Sequence, residues 1–130
     1  MNFLICSAMR ALMPKTENLP GVDQTGVAEF VKQMRAESTF WYFLGVAVGA
    51  LVFAITPVIT IGVPLLAFML PKKALDRHAS TIVYSKCYLI RSALLLVKLN
   101  AGMCWGRDPK VRALFNLQPD PADPGTWRTQ

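Results

Sequence analysis

The sequence predicts an all-α, membrane-associated protein in which one long, proline-interrupted apolar segment is flanked by amphipathic helices. Hydrophobic residues make up 53% of the 130 positions and charged residues only 17%, which is less charge than a soluble domain usually carries. No charged residue or histidine occurs at positions 38–71. Outside this gap, apolar residues recur with the three- and four-residue spacing of helices. A chain of this composition is also too apolar to be disordered in water.

The region before the charge gap carries two predicted helices. Positions 3–13 form the first, and Pro14 ends it because proline lacks the N–H that a helix interior requires. After a turn region rich in proline and glycine, Thr25 is the predicted N-cap of an amphipathic second helix. Phe30 and Met34 lie on its apolar face at helical spacing. We expect this helix to run into the apolar segment without a break.

The apolar segment covers positions 40–70 and exceeds the roughly 20 residues that one spanning helix needs. Its prolines divide it, because each removes a helical hydrogen bond. One geometry is a single spanning helix from about 40 to 60, kinked near Pro57. The other is a helical hairpin that enters one leaflet and returns, turning at 56–57 or 61–62. The hairpin or another monotopic arrangement is favoured, because it keeps the basic residues at both ends on one side.

Aromatic and basic residues flank the apolar segment, where a membrane interface is expected. Aromatic rings tolerate the headgroup boundary, and basic side chains are attracted to anionic lipids. The predicted membrane-interface residues are Phe40, Trp41, Tyr42, Lys72, Lys73 and Arg77. The net charge of +6 fits the same interpretation. Nucleic acid is not an expected partner, since no recognised binding motif accompanies the dispersed basic residues.

Positions 80–105 predict a second apolar helix with one narrow polar stripe that includes Arg91 and Lys98. Charges inside this run argue against a spanning segment, since each costs about 3 kcal/mol at the middle of a bilayer. A helix that lies in the interface or packs under a partner fits better. Residues 1–117 are therefore expected to form one helical membrane-associated domain, followed by a Pro-rich extended tail at 118–130.

The last helix of this domain has a predicted start at Asp108 and Pro109. An aspartate caps the free N–H groups of a first turn, and proline fits the first helical position. We expect the helix to end near Asn116. In the tail that follows, Trp127 is the one large apolar residue.

The residues that catalysis or metal binding requires are not grouped in this sequence. His78 is the single histidine, and we expect it to be solvated at a helix or headgroup boundary. The three cysteines lack a C-x-x-C pattern, so free and mostly buried thiols are expected. No nucleotide-binding glycine motif occurs. The sequence predicts a chain that is not an enzyme and has no catalytic, cofactor-binding or metal-binding residues.

Three segments, in this order and spacing, resemble a known protein module. They are LPGVDQTGVAEF at 19–30, LDRH at 75–78 and CWGRDPKVR at 104–112. Together they are similar to the small helical module that accompanies bacterial glucose–methanol–choline (GMC) type flavin dehydrogenases, either as a separate short protein or as an extension of the flavoprotein. The similarity spans roughly residues 19 to 117.

The resemblance implies a non-catalytic accessory subunit. Its partner would be a large flavoprotein dehydrogenase subunit that holds the FAD and oxidises an alcohol or a sterol-like substrate, and this chain would anchor it to membrane lipid. The implied location is the bacterial inner membrane, with the cytoplasmic face favoured. The residues that we expect to bind the partner are Phe30, Met34, Trp105, Asp108, Pro109 and Trp127. Their other interpretation is packing within this chain.

Two further hypotheses stay open at this point. Gly45 and Gly49 form a G-x-x-x-G motif that lets membrane helices approach closely, which suggests a self-associating small membrane protein with a structural role and no enzyme partner. A haem-carrying anchor would use His78 and a distant methionine as ligands. The spectrum of the purified chain separates the haem hypothesis from the others.

Overall fold

The computed structural model describes residues 1–117, so the predicted tail and its Trp127 lie outside the described residues. The described part is all-α, as predicted, and no strand occurs in it. Its α-helices are α1 (Asn2–Leu12), α2 (Val27–Glu37), α3 (Phe40–Ile55), α4 (Pro57–Thr60), α5 (Lys72–Val83), α6 (Tyr88–Gly106) and α7 (Pro109–Leu114). Short 3-10 turns at Val22–Gln24 and Ala67–Met69 lie in the connections before α2 and before α5.

The centre of the fold is an antiparallel pair formed by α3 and α6. Tyr42, near the start of α3, bonds Asn100, whereas Gly49 lies against Ala93, two turns earlier in α6. α1 packs against both helices of this pair, and α2 and α5 each pack against α1. The core between them consists mostly of small and branched side chains, with Phe53 as its largest fully buried member.

Gly49 allows α3 and α6 to approach each other closely. A Cβ atom at this position would lie 2.5 Å from the carbonyl oxygen of Ala93 and 2.8 Å from a methyl carbon of Val97. A Cβ atom at Gly45 would lie 3.1 Å from the side chain of Leu96. The glycine pair that suggested contact between two copies therefore packs against α6 of the same chain.

The start and end of α2 differ from the sequence prediction. Thr25 is not the N-cap: its buried hydroxyl donates to the carbonyl oxygen of Val22 at 2.7 Å. Gly26 precedes the helix instead, with the left-handed φ of 69° that glycine adopts without strain. The helix ends at Glu37, and Ser38 is extended with ψ of 155°. The predicted continuous passage into the apolar segment is therefore wrong, because extended backbone at Ser38 separates α2 from α3.

The apolar segment is divided at Thr56, whose hydroxyl donates to the carbonyl oxygen of Val52 at 2.7 Å. Pro57 occupies the first position of α4, where its missing N–H costs no hydrogen bond. The chain then turns at Gly62, which has a φ of 69°. It returns to α3, against which the 3-10 turn Ala67–Met69 packs. The predicted helical hairpin is wrong in its returning half, because proline and glycine interrupt the helix there.

The length of α3 bears on the single-span alternative. The helix has 16 residues, which corresponds to about 24 Å at 1.5 Å per residue. Among the helices of residues 1–117, none combines the length and the hydropathy that a membrane span requires. Positions 40–60, which were predicted as a single kinked helix, form α3 and a separate helical turn, α4.

The second apolar helix, predicted at 80–105, consists of two helices. α5 ends at Val83 and α6 begins at Tyr88, after a turn in which Ser85 Oγ accepts a hydrogen bond from the N–H of Cys87 at 3.2 Å. The apolar spacing continues across this turn without proline or glycine. For this reason the sequence pattern did not indicate the break.

The predicted start of the last helix is confirmed. Asp108 Oδ1 accepts hydrogen bonds from the N–H groups of Lys110 at 2.9 Å and Val111 at 3.4 Å. Pro109 is the first residue of α7, which ends at Leu114. This cap provides an acceptor for two N–H groups that have no partner within the helix.

Gly49→Ala tests the close contact between α3 and α6. We expect it to destabilise the protein by about 1–3 kcal/mol, because backbone on α6 must move to admit the methyl group. Gly102→Ala is the matched control in α6, since a Cβ atom there meets nothing within 4 Å. It should stabilise the protein by up to about 1 kcal/mol, because alanine favours helix over glycine. Urea unfolding measures both free energies, and equal effects of the two substitutions would contradict the packing described.

Candidate functional site

One surface of the α3–α6 pair is apolar and open to solvent. Because α1 packs against both helices on one side, the opposite side of the pair faces outward. We call this the outer apolar face; it consists of Leu44, Val48, Leu51 and Ile55 of α3 and Leu95, Leu99 and Met103 of α6. These seven side chains are between 37% and 62% exposed. Within each helix, these side chains follow the three- and four-residue spacing of one helix face.

The outer apolar face contains no charged residue. α3 has none at all, and the cations of α6 lie elsewhere on that helix: Arg91 and Lys98 are turned toward α5 and α1, with which they line cavities. A contiguous exposed apolar surface on a small domain is typical of a site that contacts a protein or a lipid surface. The outer apolar face can therefore associate with another surface by burying apolar area.

The predicted membrane-interface residues form two separate groups. Phe40 and Trp41 are strongly exposed at the start of α3, where the hydroxyl of Tyr42 donates to Asn100 Oδ1 at 3.1 Å. Lys72, Lys73 and Arg77 are exposed on α5. α5 meets α3 near the C-terminal end of α3, where His78 bonds the carbonyl oxygen of Phe53. The structure therefore does not bring the aromatic and the basic groups together.

The predicted partner-binding residues divide into internal and exposed ones. Trp105 Nε1 donates to the carbonyl oxygen of Pro20 at 2.7 Å, and Met34 is buried. Asp108 is half-buried as the cap of α7, and only Pro109 is exposed. For Trp105, Met34 and Asp108 the structure thus favours packing within the chain.

Phe30 is half-buried and belongs to a groove between α2 and α6. The guanidinium carbon of Arg107 lies 4.9 Å from the centre of the Phe30 ring, and Arg107 Nη1 donates to Gln33 Oε1 at 2.8 Å. The groove has a volume of about 340 Å³ and is also lined by Met34 and Met103. Sequence reasoning did not select Arg107 or Gln33, because their positions 74 residues apart give no signal of contact.

The first and third segments that carry the family resemblance meet in space. Besides the bond from Trp105 to Pro20, Cys104 Sγ lies 3.6 Å from Thr25 Oγ1 and 3.7 Å from the carbonyl oxygen of Thr25. A Cβ atom at Gly21 would lie 2.6 Å from the backbone of Lys15, so only glycine fits this connection. These motif residues therefore hold α6 to the segment that precedes α2.

His78 occupies a buried polar site that the sequence did not predict. It is fully buried, so the expectation of a solvated histidine is wrong. Its Nε2 lies 3.0 Å from the carbonyl oxygen of Phe53, and its Nδ1 lies 2.5 Å from Thr60 Oγ1. A carbonyl oxygen only accepts, so we assign the proton to Nε2, which leaves Nδ1 to accept from the threonine. The neutral ring thereby joins α5 to the ends of α3 and α4.

The thiols are free, and two of the three are buried, as predicted. Burial raises the pKa of both Cys6 and Cys104. A raised pKa keeps a thiol protonated and unreactive. Cys87 is exposed before α6. Within residues 1–117 no group of three or more His, Cys, Asp or Glu residues is arranged to hold a metal ion.

Trp105→Phe tests whether the tryptophan serves the fold. Loss of the indole N–H leaves the carbonyl oxygen of Pro20 without its partner, and we expect destabilisation by about 1–2 kcal/mol. Trp41→Phe is the matched control, because Trp41 is 74% exposed and should change the unfolding free energy by less than about 0.5 kcal/mol. Thermal unfolding of both variants measures the difference. Equal stabilities would show that the bond to Pro20 contributes nothing.

The burial of His78 leads us to expect that the protein loses stability in acid. Burial lowers the pKa of His78 below its ordinary value of 6.5, so the unfolded chain binds the proton more readily than the folded one. Its contribution is therefore complete above about pH 6.5 and falls as the pH drops toward the lower folded pKa, by at most about 1.4 kcal/mol per pH unit. Urea unfolding from pH 7.5 to 5 measures this slope. His78→Gln should remove it, and an unchanged slope in that variant would contradict the assignment.

Comparison with known proteins finds no relative of this chain. No family model, curated protein or solved structure matches the chain. The resemblance to the GMC-associated module therefore depends on the three quoted segments, and it stays a prediction. The site itself offers an uncharged apolar surface on one side and an arginine–aromatic groove on α2 and α6.

Proposed function

We propose that this chain is a non-catalytic accessory subunit that docks a GMC-type flavin-dependent alcohol or sterol dehydrogenase and anchors it to a membrane. The observation that supports this proposal most is the outer apolar face. A monomer with this surface in water would expose seven large apolar side chains on two adjacent helices. Association with lipid removes that area from water and contributes about 25 cal/mol for each Å² buried.

A monotopic position in the membrane fits the outer apolar face. Both helices would lie in the plane of the interface, with the face in the acyl region and the core above it. Trp41 at the start of α3 and Tyr88 at the start of α6 are exposed at opposite ends of the antiparallel pair. Their rings suit the headgroup boundary. This arrangement needs no spanning helix.

The groove around Phe30 and Arg107 is the proposed docking site for the flavoprotein. Aromatic, methionine and arginine side chains are enriched in protein interfaces. The groove lies on α2 and the end of α6, so a partner seated there can leave much of the outer apolar face free for lipid. FAD and the substrate would be held by the partner.

The alternative function is a self-associating small membrane protein with a structural role and no enzyme partner. Its predicted contact, Gly45 and Gly49, lies against α6 of the same chain. Two copies would therefore have to meet through another surface. This internal use of the glycines favours the accessory-subunit proposal.

Purification of the tagged full chain from its native cells, in mild detergent, tests the proposal. We expect one large protein in equal amount, with a flavin spectrum and dye-linked alcohol dehydrogenase activity. Phe30→Ala with Arg107→Gln should release that protein, because these residues form the proposed docking groove. A chain that purifies alone and without flavin would contradict the enzyme partnership.

Variants of the outer apolar face test the membrane anchor separately. Leu51→Glu with Leu99→Glu should move the flavoprotein complex from the membrane fraction to the soluble fraction, because two charges would enter the acyl region. Gln24→Glu with Thr81→Glu adds the same charge at exposed positions of Val22–Gln24 and α5. This control should stay in the membrane fraction. Retention of both variants would contradict anchoring through the outer face.

A further inference from the structure

A groove between α1, α5 and α6 lies beside the outer apolar face. Two cavities of about 300 and 260 Å³ adjoin here, and both are lined by Leu12, Val83 and Lys98. Sites for small molecules commonly have volumes of about 300–1,000 Å³. Because they share these side chains, the two cavities lie next to each other, and together they form what we call the groove.

The smaller cavity of this groove is apolar with a basic rim. Leu12, Val83, Leu94 and Leu95 supply the apolar walls, and Arg91 and Lys98 supply the two cations. Leu95 also belongs to the outer apolar face, so the groove opens beside that face. A molecule in the acyl region beside α6 could therefore enter the groove without crossing a polar surface.

Among the described residues, the two cations on the rim have no acidic partner. Arg91 and Lys98 are seven residues apart on one helix, which separates them by about 10 Å along the axis. No carboxylate of residues 1–117 lies within 4.0 Å of either cation. Asp76 lines the larger cavity of the groove without pairing with Lys98. In the described part of the chain, the smaller cavity therefore has two positive charges without a paired carboxylate beside its apolar side chains.

We propose that this groove binds one anionic phospholipid, with the phosphate between Arg91 and Lys98 and an acyl chain on Leu12, Val83 and Leu94. The occupant follows from charge and shape together. A free phosphate ion would leave the apolar walls exposed to water, whereas a neutral lipid would leave both cations without a counter-charge. Positions 77–107 contain no Asp or Glu, so no carboxylate of α6 repels the phosphate.

The proposal rests on the proposed function only for the source of the lipid, which is the membrane under the outer apolar face. The site itself can be tested without a membrane. The purified full chain in a nonionic detergent is heated with phosphatidylglycerol, with phosphatidylcholine of the same acyl chains, with a fatty acid, or with inorganic phosphate. We expect phosphatidylglycerol alone to raise the melting temperature, because ligand binding to the folded state stabilises it.

Paired charge variants locate the site. Arg91→Gln with Lys98→Gln should weaken phosphatidylglycerol binding about thirtyfold, since each cation near an anionic lipid contributes about 1 kcal/mol. Lys32→Gln with Arg35→Gln removes the same charge from exposed positions of α2 and should leave the affinity unchanged. Equal weakening in both variants, or stabilisation by phosphatidylcholine, the fatty acid or phosphate to the same extent, would overturn the proposal.

Flotation with neutral and anionic vesicles separates the lipid site from the membrane anchor. If the Arg91/Lys98 variant still floats with neutral vesicles but no longer prefers anionic ones, both proposals are supported. If the wild-type chain floats with both vesicle types equally, the anionic-lipid site is overturned and the membrane anchor stands. If it floats with neither but binds phosphatidylglycerol in detergent, the anchor fails and the site stands.

Discussion

The close packing of α3 on α6 is the constraint on which the rest of the structure depends. Gly49 has no side chain, so the α3 backbone can reach the carbonyl oxygen of Ala93 on α6. α1 then covers one side of the pair, and the other side keeps its leucine, isoleucine and valine side chains exposed. The same helices thus provide the core surface of the domain and the surface that we propose for lipid.

A few buried or half-buried polar groups give this apolar chain a unique arrangement. Apolar contacts alone allow many alternative packings, whereas a buried donor must find its own acceptor. His78 joins α5 to Phe53 and Thr60, and Trp105 joins α6 to Pro20. Both residues lie in segments that carry the family resemblance. These segments therefore serve the fold directly, and surfaces such as the groove at Phe30 are the candidates for contact with a partner.

The sequence predicted the parts of the fold that depend on local chemistry. The all-α class, the end of the first helix at Pro14 and the cap at Asp108 each follow from one or a few neighbouring residues. The break between α5 and α6, the burial of His78 and the pairing of Arg107 with Gln33 depend on residues far apart in the chain. Helical periodicity carries no information about such contacts. It also could not show that the outer apolar face would be exposed, because exposure depends on which side α1 covers.

Spin labels on the outer apolar face test the central claim most directly. With Cys87 replaced by serine, single labels at Val48, Leu99 and Gln24 are compared in lipid bilayers for collision with oxygen and with a water-soluble nickel chelate. Oxygen concentrates in the acyl region, so labels at Val48 and Leu99 should collide mainly with oxygen and the label at Gln24 mainly with nickel. Preferential collision with nickel at all three positions would contradict contact between this face and lipid.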